Sequence, residues 1–263
     1  MAQTEQREAF FTRAGDEFLP AAHARGWWTS GMIHGRLLGG LAARALEAEH
    51  AADGLHFTRL TVDLFRNAPM APLRVQTHRV RDGRRVRVAD ATVHGANGLV
   101  ARASTVMLRR SEEPPGHIPE TPPWDAPPPE ELFAPRERVW TAWMFDEHNA
   151  SAKDGWRGDG RRRAWLRESR ELVAGEPLSP FVRAALAADT ASPLAHSADT
   201  GLQFINADYT LCLRRLPLSD AIGLESTAHT SEDGVAVGHC TMHDSAGPIG
   251  YCMTTAVANP SPA

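Results

Sequence analysis

Apolar positions recur along the chain in two runs of the same kind, each a helical stretch followed by four extended ones. Over 36–50, Leu37, Leu38, Leu41, Ala42, Ala45 and Leu46 fall at helical spacing, with Gly39-Gly40 in the early part. Apolar residues cover nearly the whole circumference, which predicts a helix buried on all sides. The segments 57–65, 73–80, 86–93 and 99–108 then read as strands, the later ones set off by Asp82-Gly83 and Asn97-Gly98.

The second run repeats this order. A helix is predicted over 180–191, with Phe181, Ala184, Ala185 and Ala188 on one face, and strands over 202–213, 221–230, 235–243 and 248–258. Laid on each other, the runs put Thr58 opposite Asn206 and Pro69 opposite Pro217. After one extra residue, Gly98 falls opposite Gly247 and Val100 opposite Ile249, the pattern of a duplication. Prolines at 114, 115, 122, 123 and 127–129 forbid regular ladders and helices between the runs. The division expected is therefore 1–112, a proline-rich linker over 113–129, and 130–263, in an α+β architecture. Between linker and second helix, 139–145 and 163–166 read as ordered pieces of an irregular entry.

Composition narrows the function. The 263 residues are 42% apolar and 23% charged, an ordinary globular balance, and 28 basic against 32 acidic residues leave a formal charge of -4. That balance argues against nucleic acid as a partner. Lys153 is the single lysine among the cations, so one arginine says little about a phosphate site. The first residues lack an apolar signal core, and no stretch reaches the roughly 18 apolar residues of a membrane span, so a cytoplasmic protein is expected. Cys212, Cys240 and Cys252 have no metal-ligand spacing and read as reduced, buried thiols.

A helix apolar all round followed by a meander of strands is what a curved antiparallel sheet wrapped around a helix requires. Four stretches carry a resemblance: Gly39-Gly40-Leu41-Ala42-Ala43-Arg44-Ala45-Leu46, the run Leu60-Thr61-Val62-Asp63-Leu64-Phe65-Arg66-Asn67-Ala68-Pro69, the run Arg79-Val80-Arg81-Asp82-Gly83-Arg84, and Ala184-Ala185-Leu186-Ala187-Ala188-Asp189. With these the chain resembles the acyl-CoA thioesterase II family of double hot-dog proteins over about 26–258. The resemblance implies two helix-wrapped antiparallel sheets joined into one, hydrolysis of acyl-CoA in lipid metabolism, and no cofactor. It puts Asp189 on the family's catalytic carboxylate. Asn206 stands where the family carries Thr or Ser, and Thr255 where it carries a water-orienting Gln.

The chemistry can be assigned on the same residues. Thioester hydrolysis needs an activated water and a polarised carbonyl, and no metal. Asp189, within an Ala- and Leu-rich helix, is the candidate base, and Asn206 and Thr255 are candidates to hold the water. His34, and the backbone N–H groups of the Gly-rich turn into the first helix with His34-Gly35 and Gly39-Gly40, are candidates to meet substrate at a helix start. Arg79, Arg81, Arg84, Arg85 and Arg87 crowd one hairpin that reads either as a phosphate contact or as a solvated tip. Trp27, Trp28, Trp140, Trp143, Trp156 and Trp165 read as staples between linker and sheet or as walls of an acyl slot.

No Gly-x-Ser-x-Gly motif offers a nucleophilic serine. Two other functions compete. An enoyl-CoA hydratase on a related fold would use Asp189, Pro193 and His196, although both followers stand too far along the chain. A non-catalytic acyl or lipid carrier would explain Asn206 and Thr255. A duplicated chain supplies its hot-dog pair internally, and further pairing into a homodimer stays open.

Overall fold

The computed structural model describes residues 8–26, 28, 31–132, 140–146, 148–149 and 160–259. The elements in chain order are β1 (Phe11–Ala14), β2 (Glu17–Pro20), α1 (Gly35–His50), β3 (Leu55–Leu64), β4 (Leu73–Asp82), β5 (Val86–Gly95), β6 (Gly98–Arg109) and the short α2 (Pro129–Leu132). There follow β7 (Trp140–Phe145), β8 (Arg163–Glu168), α3 (Pro180–Ala188), α4 (Ala191–His196), β9 (Ser197–Ala198), β10 (Gly201–Leu202), β11 (Phe204–Leu213), β12 (Ala221–Glu232), β13 (Val235–Asp244) and β14 (Gly247–Ala258).

Twelve strands form one sheet in the order β1-β2-β4-β5-β6-β3-β11-β14-β13-β12-β8-β7. From the middle outwards, β3-β6-β5-β4 on one side matches β11-β14-β13-β12 on the other: first, fourth, third, second strand of each run. This is the double hot-dog architecture. The halves meet where β3 and β11 pair antiparallel, Thr61 opposite Thr210 with their hydroxyls 3.0 Å apart, and Leu60 and Val62 opposite Leu211 and Tyr209. Each of these strands bulges near its start, at Thr58 and at Ala207. The symmetry of the junction therefore pairs Thr58 with Ala207 and Phe57 with Asn206, one residue off the registration read from the sequence.

Inside the curved sheet, α1 and α3 lie against each other, and glycine decides how closely. A methyl group on Gly39 would stand 1.9 Å from the Tyr209 hydroxyl, and one on Gly40 would stand 2.6 Å from Leu186 Cδ2. The helix expected over 180–191 is broken. Pro193 has no N–H for the Asp189 carbonyl four residues back, and its ring would clash with that carbonyl in a continuous helix. So α3 stops at Ala188, Asp189 caps it, and α4 begins at Ala191. Last-turn carbonyls, which lack helical donors, find others: Tyr209 Oη donates to Ala185 O (3.0 Å), Thr190 N–H to Ala187 O (3.0 Å) and Cys252 Sγ to Ala188 O (3.4 Å).

The entry to the second half is more regular than the sequence suggested, since β7 and β8 extend the sheet beyond β12. The 113–129 segment runs over the outer face of this sheet as a strap. Trp124 lies flat on His243 (4.4 Å, 1°) and edge-on to Trp165 (4.9 Å), over Gly223, where a methyl group would meet it at 2.4 Å. Trp165 Nε1 donates to Pro127 O (2.9 Å), and Arg163 pairs with Asp125. Trp165 is thus a staple, as one of its two readings had it; Trp27, Trp156 and the Trp140 side chain lie outside the described residues.

The two halves also interlock through charge. Arg36 on α1 reaches Glu168 on β8 at 2.6 Å with both side chains buried, and Arg44 makes a two-pronged pair with Glu176. The N-terminal segment docks on the second half, Phe11 exchanging backbone bonds with Leu172 and Ala174. Cys240 and Cys252 are buried, but Cys212 is exposed on the outer face, because strand alternation turns it away from Leu211 and Leu213.

Candidate active site

A cavity of about 280 Å³ opens where the N-terminus of α1 meets the C-terminus of α3. Its first wall is the segment entering α1, which doubles back: Gly26 N–H donates to Met32 O (2.8 Å), His34 N–H to Ala24 O (2.9 Å) and Ile33 N–H to Ala68 O (2.7 Å). The end of β3 and the turn after it supply Leu64, Phe65, Arg66, Asn67 and Ala68. Leu38 closes the α1 side, and Asp189, Asn206 and Val257 come from the second half. The site is therefore shared by the two halves.

Asp189 is 7% exposed. Its Oδ1 accepts from Asn206 Nδ2 at 2.9 Å, while Oδ2 takes no hydrogen bond among the described residues. Burial raises the carboxyl pKa above its ordinary value, and the Asn206 amide and the Arg36 guanidinium pull it partly back. The bulge at Ala207 makes this possible, because it leaves Asn206 facing inward beside Ala256 while Asp208 faces out.

His34 caps α1, its Nδ1 accepting from Arg36 N–H at 3.3 Å. That bond puts the ring proton on Nε2, a tautomer assigned from the hydrogen bond. His34 Nδ1 lies 3.8 Å from Asp189 Oδ2, within ion-pair range, yet the contact is between a neutral imidazole and a carboxylate. Burial first, then the charge of Arg36, lowers the His34 pKa to about 3. Gly35, the first residue of α1, has an N–H with no acceptor in its own helix. A methyl group there would crowd Leu64 at 3.2 Å and would lie in ordinary contact, 3.8 Å, with Asp189 Oδ1, which places the helix end beside the carboxylate.

This arrangement, an open buried carboxylate facing a helix N-terminus across an apolar cleft, spans two stretches of chain that also match known families. Residues 24–108 match the acyl-CoA thioesterase N-terminal domain and residues 113–258 the acyl-CoA thioesterase C-terminal domain. The chain belongs to the acyl-CoA thioesterase family.

Solved structures share the fold of this thioesterase. A tesB protein from Mycobacterium avium subspecies paratuberculosis superposes with a TM-score of 0.65 at 17% identity, covering 94% of this chain and 95% of its own. The acyl-CoA thioesterase II TesB2 from Mycobacterium marinum gives 0.64 at 15% identity over 86% and 90%. A hot-dog protein from Alicyclobacillus acidocaldarius gives 0.70 at 17% identity over 96% of each chain. No curated protein matches the sequence.

Of the residues singled out in the sequence, Asp189, Asn206 and His34 come together in the cavity. Thr255 does not join them. Its hydroxyl donates to Asp208, and its backbone N–H reaches the same carboxylate at 3.2 Å, on the outer face of the sheet. Its neighbour Thr254 faces inward and meets His196 Nε2 at 2.9 Å, and the β14 residue lining the cavity is the apolar Val257. Gly39 and Gly40 also fall outside the donor role: both lie inside α1, where their N–H groups serve the helix, and they admit Tyr209 and Leu186 instead.

The arginine-rich hairpin stands level with Leu55, about 30 Å along β3 from the cavity residue Leu64. There Asp82 holds Arg79 (2.8 Å) and Arg87 (2.7 Å) as surface ion pairs. His196 is turned away from Asp189 and bonds His229 Nδ1 at 2.9 Å, so the hydratase geometry is not formed. Sequence reasoning singled out Gly35 with His34 but did not single out Leu38, Phe65, Arg66, Asn67 or Val257 for the site. The run 60–69, which carries part of the family resemblance, was the available signal for three of them.

Proposed function

We propose that this thioesterase hydrolyses acyl-CoA by water that Asp189 activates directly. The observation that carries this reading is the buried Asp189 carboxylate with one oxygen held by Asn206 and the other open in the cavity. A pKa raised by burial makes it a stronger base than a solvated carboxylate. Asn206 keeps its carbonyl oxygen to accept from the same water.

In the reaction, Asp189 Oδ2 takes a proton as the water oxygen bonds to the thioester carbon. The carbonyl oxygen then carries negative charge beside the Gly35 N–H and the positive end of α1. Collapse breaks the C–S bond, the proton on Asp189 passes to the departing thiolate, and free acid and coenzyme A result. The mouth residues Arg66 and Asn67 suit the polar pantetheine arm. The free cysteines suit a reducing compartment, the basis for placing the activity in the cytoplasm. Among the described residues no helix is long and apolar enough to cross a membrane.

Single-turnover hydrolysis in heavy-oxygen water tests direct attack. The heavy oxygen should enter the released acid in that turnover and leave Asp189 unlabelled. Label in the Asp189 carboxylate would replace this reading with attack by Asp189 itself through an acyl-enzyme anhydride.

A further inference from the structure

Leu38 on α1 and Asp189 and Asn206 from the second half line the cavity. The next position on α1 is Gly39, and the next inward-facing position on β11 after Asn206 is Tyr209. These two residues meet. The Tyr209 ring is fully buried, its hydroxyl lying where a Gly39 side chain would begin. The hydroxyl is anchored to Ala185 O on α3 at 3.0 Å, so the ring bridges the gap between the two central helices.

A glycine in a packed helix leaves a groove, and a groove between two apolar helices beside the reacting carbon is a path for a thin acyl chain. Here the groove is filled from the sheet side. What remains is about 280 Å³, just under the roughly 300–1,000 Å³ of pockets that enclose drug-sized ligands. That space must hold the reacting carbonyl, the end of the pantetheine arm and the acyl group together.

We propose that Tyr209 is the acyl-length stop of this thioesterase, restricting it to short acyl groups by plugging the path between α1 and α3 at Gly39. The proposal rests on the acyl-CoA reading of the cavity, and it makes Tyr209 a specificity-determining residue. Removing the ring while keeping an apolar side chain would open the path past Gly39, and Tyr209→Phe would keep it plugged.

The test is kcat/KM for acetyl-, butyryl-, octanoyl- and palmitoyl-CoA with the full chain and with Tyr209→Phe and Tyr209→Leu. Wild type and Tyr209→Phe should prefer the short substrates. Tyr209→Leu should raise the octanoyl-to-butyryl ratio by about tenfold or more, since even one methylene in an apolar pocket is worth about that much. A ratio unchanged while all rates fall together would make Tyr209 a packing residue and overturn the proposal. Should Tyr209→Leu fail to fold, the wild-type profile decides by itself: turnover of palmitoyl-CoA equal to that of butyryl-CoA contradicts a stop at Tyr209. Asp189→Asn separates the two readings, because loss of the base lowers all chain lengths in parallel and leaves their ratio intact. Wild type inert on every chain length would overturn the hydrolase reading together with this one.

Discussion

Asp189 is held at odds with its own stability, and that conflict is measurable. Because burial raises its pKa in the fold, ionising it costs stability as pH rises through that value, and the cost vanishes below the unfolded carboxylate pKa of about 3.9. Asp189→Asn should therefore melt higher than wild type at neutral pH and equal to it in acid, as thermal scans across pH would record. Asn206 lowers the same pKa through its amide, so Asn206→Ala should move the acid limb of the kcat profile to higher pH; an unmoved limb would separate Asn206 from the base. Asp189 was legible as a carboxylate in an Ala- and Leu-rich stretch, and Asn206 through the family resemblance of its strand. Thr255 was not, because strand parity decides its face: a shift of one residue exchanges it with Thr254. The Ala207 bulge, which no local residue signals, sets the parity of β11.

At the scale of elements, the eight long strands agree with the hydrophobic pattern to within a few residues at each end, since alternation and glycine turns fix them locally. The β1–β2 hairpin was missed, and β7 and β8 were read only as pieces of an irregular entry; their pairing partners are distant in sequence. The break between α3 and α4 was also missed, although Pro193 opposite the Asp189 carbonyl explains it. The Gly-Gly pair in α1 proves to be a packing device. Gly39→Ala would force the anchored Tyr209 ring to move, and overpacking of this kind costs about 1–3 kcal/mol. A lower midpoint in urea with an unchanged slope is the expected result; no loss of stability would mean the ring relocates freely.

Across the whole molecule, the two halves carry different side chains at equivalent positions among the described residues. Where the second half places Asn206, the symmetry of the junction places Phe57, stacked on Phe181 with centroids 4.5 Å apart. At the opposite end of the helix pair, Glu47 accepts from the α3 cap Ser179. The halves are also bound together, with Arg36 and Glu168 buried as a pair across them. Arg36→Ala strands the Glu168 charge and should destabilise the full chain by about 3–5 kcal/mol, read by denaturant unfolding. We propose that 1–112 and 130–263 are structural repeats of one folding unit. Expressed separately, neither should melt cooperatively, because each would expose the β3 or β11 edge and the facing side of its helix; a cooperative transition in either fragment would make them independent domains.

We propose that Asp189, the C-terminal cap of α3, is the carboxylate that activates the water. The most direct measurement is thiol release from butyryl-CoA by purified wild type and Asp189→Asn, each confirmed folded by its melting transition. Wild type should turn over, and the variant should lose about a hundredfold or more of that rate, the scale of a missing general base. A folded Asp189→Asn that releases thiol at the wild-type rate would contradict this proposal.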